Sequence, residues 1–164
     1  MYQTNGVVSV GVRYRLPTVA DALKLPFVRF NAEPASEDEI TSDYSRVYTM
    51  NPGSIPSAYR RMSSLLLPKP ELDRLLVGSI LHTADRYAAE FASFNDFTTS
   101  VRAALVDLAI FFGFDELKAA RPVLWHAIGK EDWKTAALES RRKHAHPQRN
   151  KWVRDSFLAA VPVD

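Results

Sequence analysis

A chain of 164 residues, 46% hydrophobic and 24% charged with ten prolines and six glycines, is long enough to bury about 69% of its extended surface in one core. That composition excludes disorder and low complexity, and the lack of cysteine excludes disulfides, cysteine zinc sites and a cysteine nucleophile. The net charge of +2 is unevenly spread: Lys134 to Arg154 carries seven bases and one acid, a local +6 that leaves −4 for the rest. Such a basic end suits an anionic partner such as a cell-wall polymer, nucleic acid or a lipid headgroup, or is simply a solvated helical face. No apolar run approaches the ~18 residues of a membrane span, and the amino terminus MYQTNGVVSV lacks the features of a signal peptide.

In chain order, Val7, Val8, Val10 and Val12 with Gly6 and Gly11 predict a short hairpin or paired strands, with β content confined to roughly the first 16 residues. Pro17 and Pro26 bracket a short helical stretch over Val19–Leu25. Ser36 and Glu39 form a capping box that opens a helix with Ile40, Tyr44, Val47 and Tyr48 on one face. Asn51–Pro56 reads as a loop. Leu72, Leu75, Leu76, Ile80 and Tyr87 predict a long amphipathic helix ending near Ser93. Val101, Ala104, Leu105, Leu108 and Ala109 predict a helix apolar on nearly all sides, stopped by Gly113 and lying at the centre of the core. Short helices follow over Val123–Ile128 and Trp133–Glu139, and Pro147 opens a last one through Trp152, Val153, Phe157 and Leu158. The expectation is a mostly α (α+β) single domain over 1–164. It divides into a β-hairpin region (1–16), connecting helices and a loop (17–60) and a helical lobe (68–160).

No strong catalytic constellation is legible. The acids Glu33, Glu37, Asp38, Glu39 and Asp43 cluster at a helix start, where carboxylates complement the dipole and cap free N–H groups. His144 and His146 have a spacing found in metal sites but lack a neighbouring carboxylate or cysteine, so no metal or other cofactor is expected. His82 and His126 read as surface or packing residues, and Trp125, Trp133 and Trp152 as core.

Gly6-Val-Val-Ser9-Val-Gly11-Val, followed by Leu16-Pro17, resembles the glycine-punctuated hairpin of phage-type lysozymes and related bacterial muramidases. In the C-terminal half, Phe94-Asn95-Asp96-Phe97, Val101–Gly113, Ala127-Ile128 with Asp132-Trp133, Ala136-Ala137 and Arg149-Asn150-Lys151-Trp152 follow the order found in that family. The resemblance implies a lysozyme-like fold and a function directed at peptidoglycan, whose β-1,4 glycosidic bonds the family hydrolyses. It places Gln3 and Ser9 at the positions of the family's aspartate and threonine, and Arg13-Tyr14 where its hairpin motif ends in Gly-His. Ile110-Phe111 stands for the family's aromatic-Asn pair. The helix bearing the family's catalytic glutamate would lie upstream of Met1, and Arg149 matches the arginine that holds it.

Glutamine cannot act as a general base, so hydrolysis is expected to be weak or lost. The expected site is therefore Gln3 and Ser9 as former catalytic positions, with Arg13, Tyr14 and Arg149 contacting substrate in a cleft between the hairpin and the C-terminal helices. Arg149 should face solvent or a substitute acid, and some of Val8, Val10, Phe111, Trp152 and Phe157 should lose cover, favouring a longer parent chain or self-association. The rival is a non-catalytic module that binds peptidoglycan or protein. Nucleic acid ranks last, because only Trp152 interleaves with the bases of Arg141–Arg154. The site of action would be the periplasm or cell wall.

Overall fold

The computed structural model describes residues 1–4, 6–51, 56–143 and 145–162. It is mostly helical with a small antiparallel sheet at the N-terminus, as an α+β reading requires. The chain forms two compact units, Met1–Ser79 and Ile80–Asp164.

In the first unit, β1 (Tyr2–Thr4), β2 (Val7–Val10) and β3 (Tyr14–Leu16) form a three-stranded antiparallel sheet with β2 at its centre. Alternation along β2 sends Val8 and Val10 to one face, where Leu16 joins them, and Ser9 to the other. Helix α1 (Val19–Leu23) opens with a capping box between Thr18 and Asp21, and α2 (Glu37–Tyr48) with the expected one between Ser36 and Glu39. Ile40, Tyr44 and Val47 of α2 are buried, whereas Tyr48 is half exposed. Helix α3 (Pro56–Met62) follows, and Pro52–Ile55 of the expected loop lie outside the described residues. The core of this unit gathers Val8, Val10, Leu16, Phe27, Val47, Tyr59 and Leu65, with Leu75 from α4 (Lys69–Glu90).

The β content is not confined to the first 16 residues. Strands β4 (Val28–Arg29) and β5 (Leu65–Leu66) pair antiparallel, tying together segments nearly forty residues apart.

The second unit is helical among its described residues. Helix α5 (Thr99–Phe112) is its centre, with Val101, Ala104, Leu105 and Leu108 fully buried. Gly113 takes φ of +93°, a backbone region open to glycine, and ends α5 while starting α6 (Phe114–Ala120). Helices α7 (Pro122–Gly129), α8 (Trp133–Glu139) and α9 (Pro147–Leu158) complete the unit. Tyr87 of α4 is buried amid Phe91, Phe94, Phe114 and Trp125, and its hydroxyl donates to the Leu105 carbonyl at 2.9 Å. Burial pushes the Tyr87 phenol well above its ordinary value. Trp125 and Trp133 are core residues as expected, but Trp152 is 45% exposed. Among the described residues no helix is long and apolar enough to cross a membrane.

Candidate functional site

The pairing register decides what Gln3 and Ser9 can do together. Gln3 sits opposite Val8, and Ser9 opposite Tyr2 and Arg15. Side chains alternate along a strand, so Gln3 shares the face of Val8 and Leu16 while Ser9 lies on the other side of the sheet. The two residues are thus not brought together. Both are buried, at 6% and 3% exposure.

Gln3 has a structural task. Its Nε2 donates to the Tyr48 carbonyl at 2.8 Å, at the last residue of α2, where helical carbonyls have no intrahelical partner. An ionised aspartate only accepts, so it could not make this bond. The Gln3 Oε1 is buried without a partner among the described residues. Its backbone carbonyl lies 3.1 Å from the Tyr59 hydroxyl, itself 3.1 Å from the Asn51 carbonyl.

The β2–β3 turn is of a different character. Gly11, Val12 and Arg13 connect the paired Val10 and Tyr14, and residues 11–15 are all exposed. Arg13 has φ of +59°, a conformation that costs a residue with a Cβ about 1–2 kcal/mol relative to glycine. Gly11 has φ of +52°, and a Cβ there would meet Leu72 at 2.9 Å. The turn is pinned by Tyr2, whose hydroxyl accepts from the Arg13 N–H at 2.9 Å and donates to the Gly11 carbonyl at 3.2 Å. Arg13 and Tyr14 are therefore presented side by side at a fixed, strained turn.

The acids of the first unit are committed elsewhere. Asp43 is fully buried, accepting from Ser63 Oγ and Ser64 N–H at 2.7 Å, Arg46 at 2.9 Å and Ser64 Oγ at 3.1 Å. It lies on the buried side of α2 and is no part of the dipole-facing cluster in which the sequence grouped it. Glu39 binds Arg29 through both oxygens, at 2.8 and 2.9 Å, and caps the Ser36 N–H. The Arg29 guanidinium, aided by Ser36, holds the Glu39 carboxyl at about 2.

In the second unit Arg149 does not face solvent alone but meets an acid, Asp107 of α5, through Nε at 2.9 Å and through Nη2. The same carboxylate accepts from Arg142 Nη1 at 2.6 Å. Arg142 is 1% exposed. Its Nε donates to Asn150 Oδ1 at 3.1 Å, its Nη2 to the Arg149 carbonyl at 3.2 Å, and its guanidinium lies over the Phe111 ring at 5.1 Å. Two guanidinium groups and one carboxylate thereby bolt α5, the loop before α9 and α9 together. Sequence reasoning missed Asp107 and Arg142. The signal for Asp107 was a lone acid inside the apolar run Val101–Gly113; nothing distinguishes Arg142 from its basic neighbours Arg141 and Lys143.

Asp155 pairs with Lys151 and Arg154, which together with Asp107 partly neutralises the basic segment. Lys134, Arg141 and Lys143 are exposed and lie outside the ion pairs among the described residues. His144 is outside the described residues, and among those described no group of three or more His, Asp or Glu could hold a metal. His82 and His126 are exposed. Of the residues some of which were expected to lose cover, Trp152 is exposed and Phe111 partly buried, whereas Val8, Val10 and Phe157 are buried.

No protein-family model, curated protein or solved structure matches this chain.

Proposed function

We propose that the chain is a lysozyme-like module directed at peptidoglycan or a similar anionic polymer, which it binds without hydrolysing. The observation that carries this reading is the separation of Gln3 and Ser9 onto opposite, buried faces of the sheet. Glycoside hydrolysis needs an acid for the leaving oxygen and a second carboxylate for water or the cation. Neither residue is a carboxylate, and Asp43 and Glu39 of the first unit have their oxygens taken by Ser63, Ser64, Arg46 and Arg29. Binding, by contrast, needs only exposed cations and an aromatic surface. The Arg13-Tyr14 turn offers both, and its strained arginine fits a position kept for something other than stability. Lys134, Arg141 and Lys143 extend the same chemistry to the second unit. Such a module would act in the periplasm or cell wall.

The test is co-sedimentation with purified peptidoglycan sacculi alongside a turbidity assay. The protein should pellet with the sacculi at low salt and be released as salt rises, while turbidity stays constant. Arg13→Gly should weaken pelleting. Protein that remains in the supernatant at low salt would overturn the binding reading, and a sustained fall in turbidity would restore the enzyme.

A further inference from the structure

In the second unit α8 and α9 pack against each other, with Trp133 of α8 stacked on Phe157 of α9 at 6.0 Å. The buried residues Trp133, Ala136 and Ala137 fix the inner side of α8. At 100° per residue, Lys134 and Leu138 fall together on its outer side, with Arg141 a turn further on. On α9 the same spacing puts Arg154 and Leu158 together on the flank beyond buried Phe157, which is the α8 side. Trp152 falls on the other flank, with Arg149 and its Asp107 partner on α5. Each helix thus turns a leucine to solvent with a cation four residues before it. Leu138, at 78%, is the most exposed large apolar residue among those described, and Leu158 is 44% exposed.

The charge around these leucines is positive. Lys134, Arg141 and Lys143 stand outside the ion pairs among the described residues, and Lys151 and Arg154 share one carboxylate, Asp155, at 2.6 and 2.8 Å. The other acids, Asp132 and Glu139, lie round α8 on its α7 side, where Asp132 accepts from Thr135. Even with all three acids counted, five bases leave the face positive. A soluble polyanion would use the cations alone and gain nothing from the leucines. A bilayer uses both, its headgroup phosphates meeting the cations while the leucines enter the acyl boundary. We propose that the α8–α9 face docks on the surface of an anionic phospholipid bilayer, with Leu138 and Leu158 as its apolar contacts. This goes beyond the polymer-binding reading and is tested without polymer.

Because the chain has no cysteine, Leu138→Cys and, as a control at an exposed position of α5, Ala103→Cys each give one site for an environment-sensitive fluorophore. The full chain is titrated with phosphatidylcholine vesicles with and without phosphatidylglycerol. The probe at 138 should brighten and shift to the blue only where phosphatidylglycerol is present, and the probe at 103 should not respond. In vesicle co-sedimentation Lys134→Gln should bind about fivefold more weakly, the loss of one cation near an anionic surface. Leu138→Gln, with charge unchanged, should lose at least as much, and both variants should melt with the parent chain because both positions are exposed. No binding at low salt, an equal response at the two probes, or full binding by Leu138→Gln would each overturn the proposal. So would a soluble oligonucleotide that shifts the probe at 138 as far as the vesicles do, since the face would then serve polyanions rather than a bilayer.

Discussion

Removing the Asp107 carboxylate would strand two guanidinium groups that differ sharply in their access to water. Arg142 is enclosed and would lose its only counter-charge among the described residues, whereas the Arg149 side chain is 43% exposed and can turn to solvent. Asp107→Ala is therefore expected to lower stability by about 3–5 kcal/mol, and Arg149→Ala by about 1 kcal/mol or less. Urea midpoints of the two variants check this, and equal losses would refute the asymmetry. A second expectation concerns acid. The folded Glu39 carboxyl sits at about 2 against an ordinary 4.5, so its contribution is complete above about pH 4.5 and is lost as pH falls toward 2. Glu39→Gln should flatten the decline in stability across that window, measured as urea midpoints at several acidic pH values. At this scale the sequence was only partly legible. The Ser36–Glu39 cap follows from local spacing, and that reading holds. The tasks of Gln3, Asp43 and Arg142 depend on partners supplied by distant turns of chain, which no local pattern announces.

Helix α5 was readable because an apolar residue falls on almost every side of it, and a helix of that kind must be enclosed. Leu108→Ala should cost about 2–5 kcal/mol by opening a cavity where no solvent reaches, and a loss below ~1 kcal/mol in chemical denaturation would contradict that central position. Helices α3 and α6 are absent from the sequence reading for separate reasons. Gly113 is a valid stop signal for α5, yet the chain restarts at Phe114 with no intervening polar turn to mark a new helix. Helix α3 is short and follows Asn51–Ile55, whose Pro52-Gly53 pair dominates the local sequence signal. Strands β4 and β5 are two residues each, too short for any alternation, and exist only through pairing with one another.

For the molecule as a whole, the segregation of charge seen along the chain is softened on folding, since Asp107 and Asp155 are matched with four of the bases in the C-terminal segment. Among the described residues Lys134, Arg141 and Lys143 stand outside these ion pairs, so attraction to an anionic polymer should be modest and strongly salt-sensitive. The buried arginine of this segment has a further consequence, for proteolysis. Arg141-Arg142-Lys143 reads as the most inviting trypsin site in the chain, but trypsin must take the basic side chain into its own pocket and lay the adjoining backbone across its cleft. Arg142 can offer neither: its side chain is enclosed, its N–H is held by Asn150 Oδ1 at 3.2 Å and its carbonyl by Asn150 Nδ2 at 2.8 Å. Native digestion followed by mass spectrometry should thus find no cut after Arg141 or Arg142 until the unit unfolds, since the bonds on both sides of Arg142 share its clamped backbone, and Asn150→Ala should make these two bonds cleavable first. The loop that looks most fragile in the sequence has its central residue clamped into the fold.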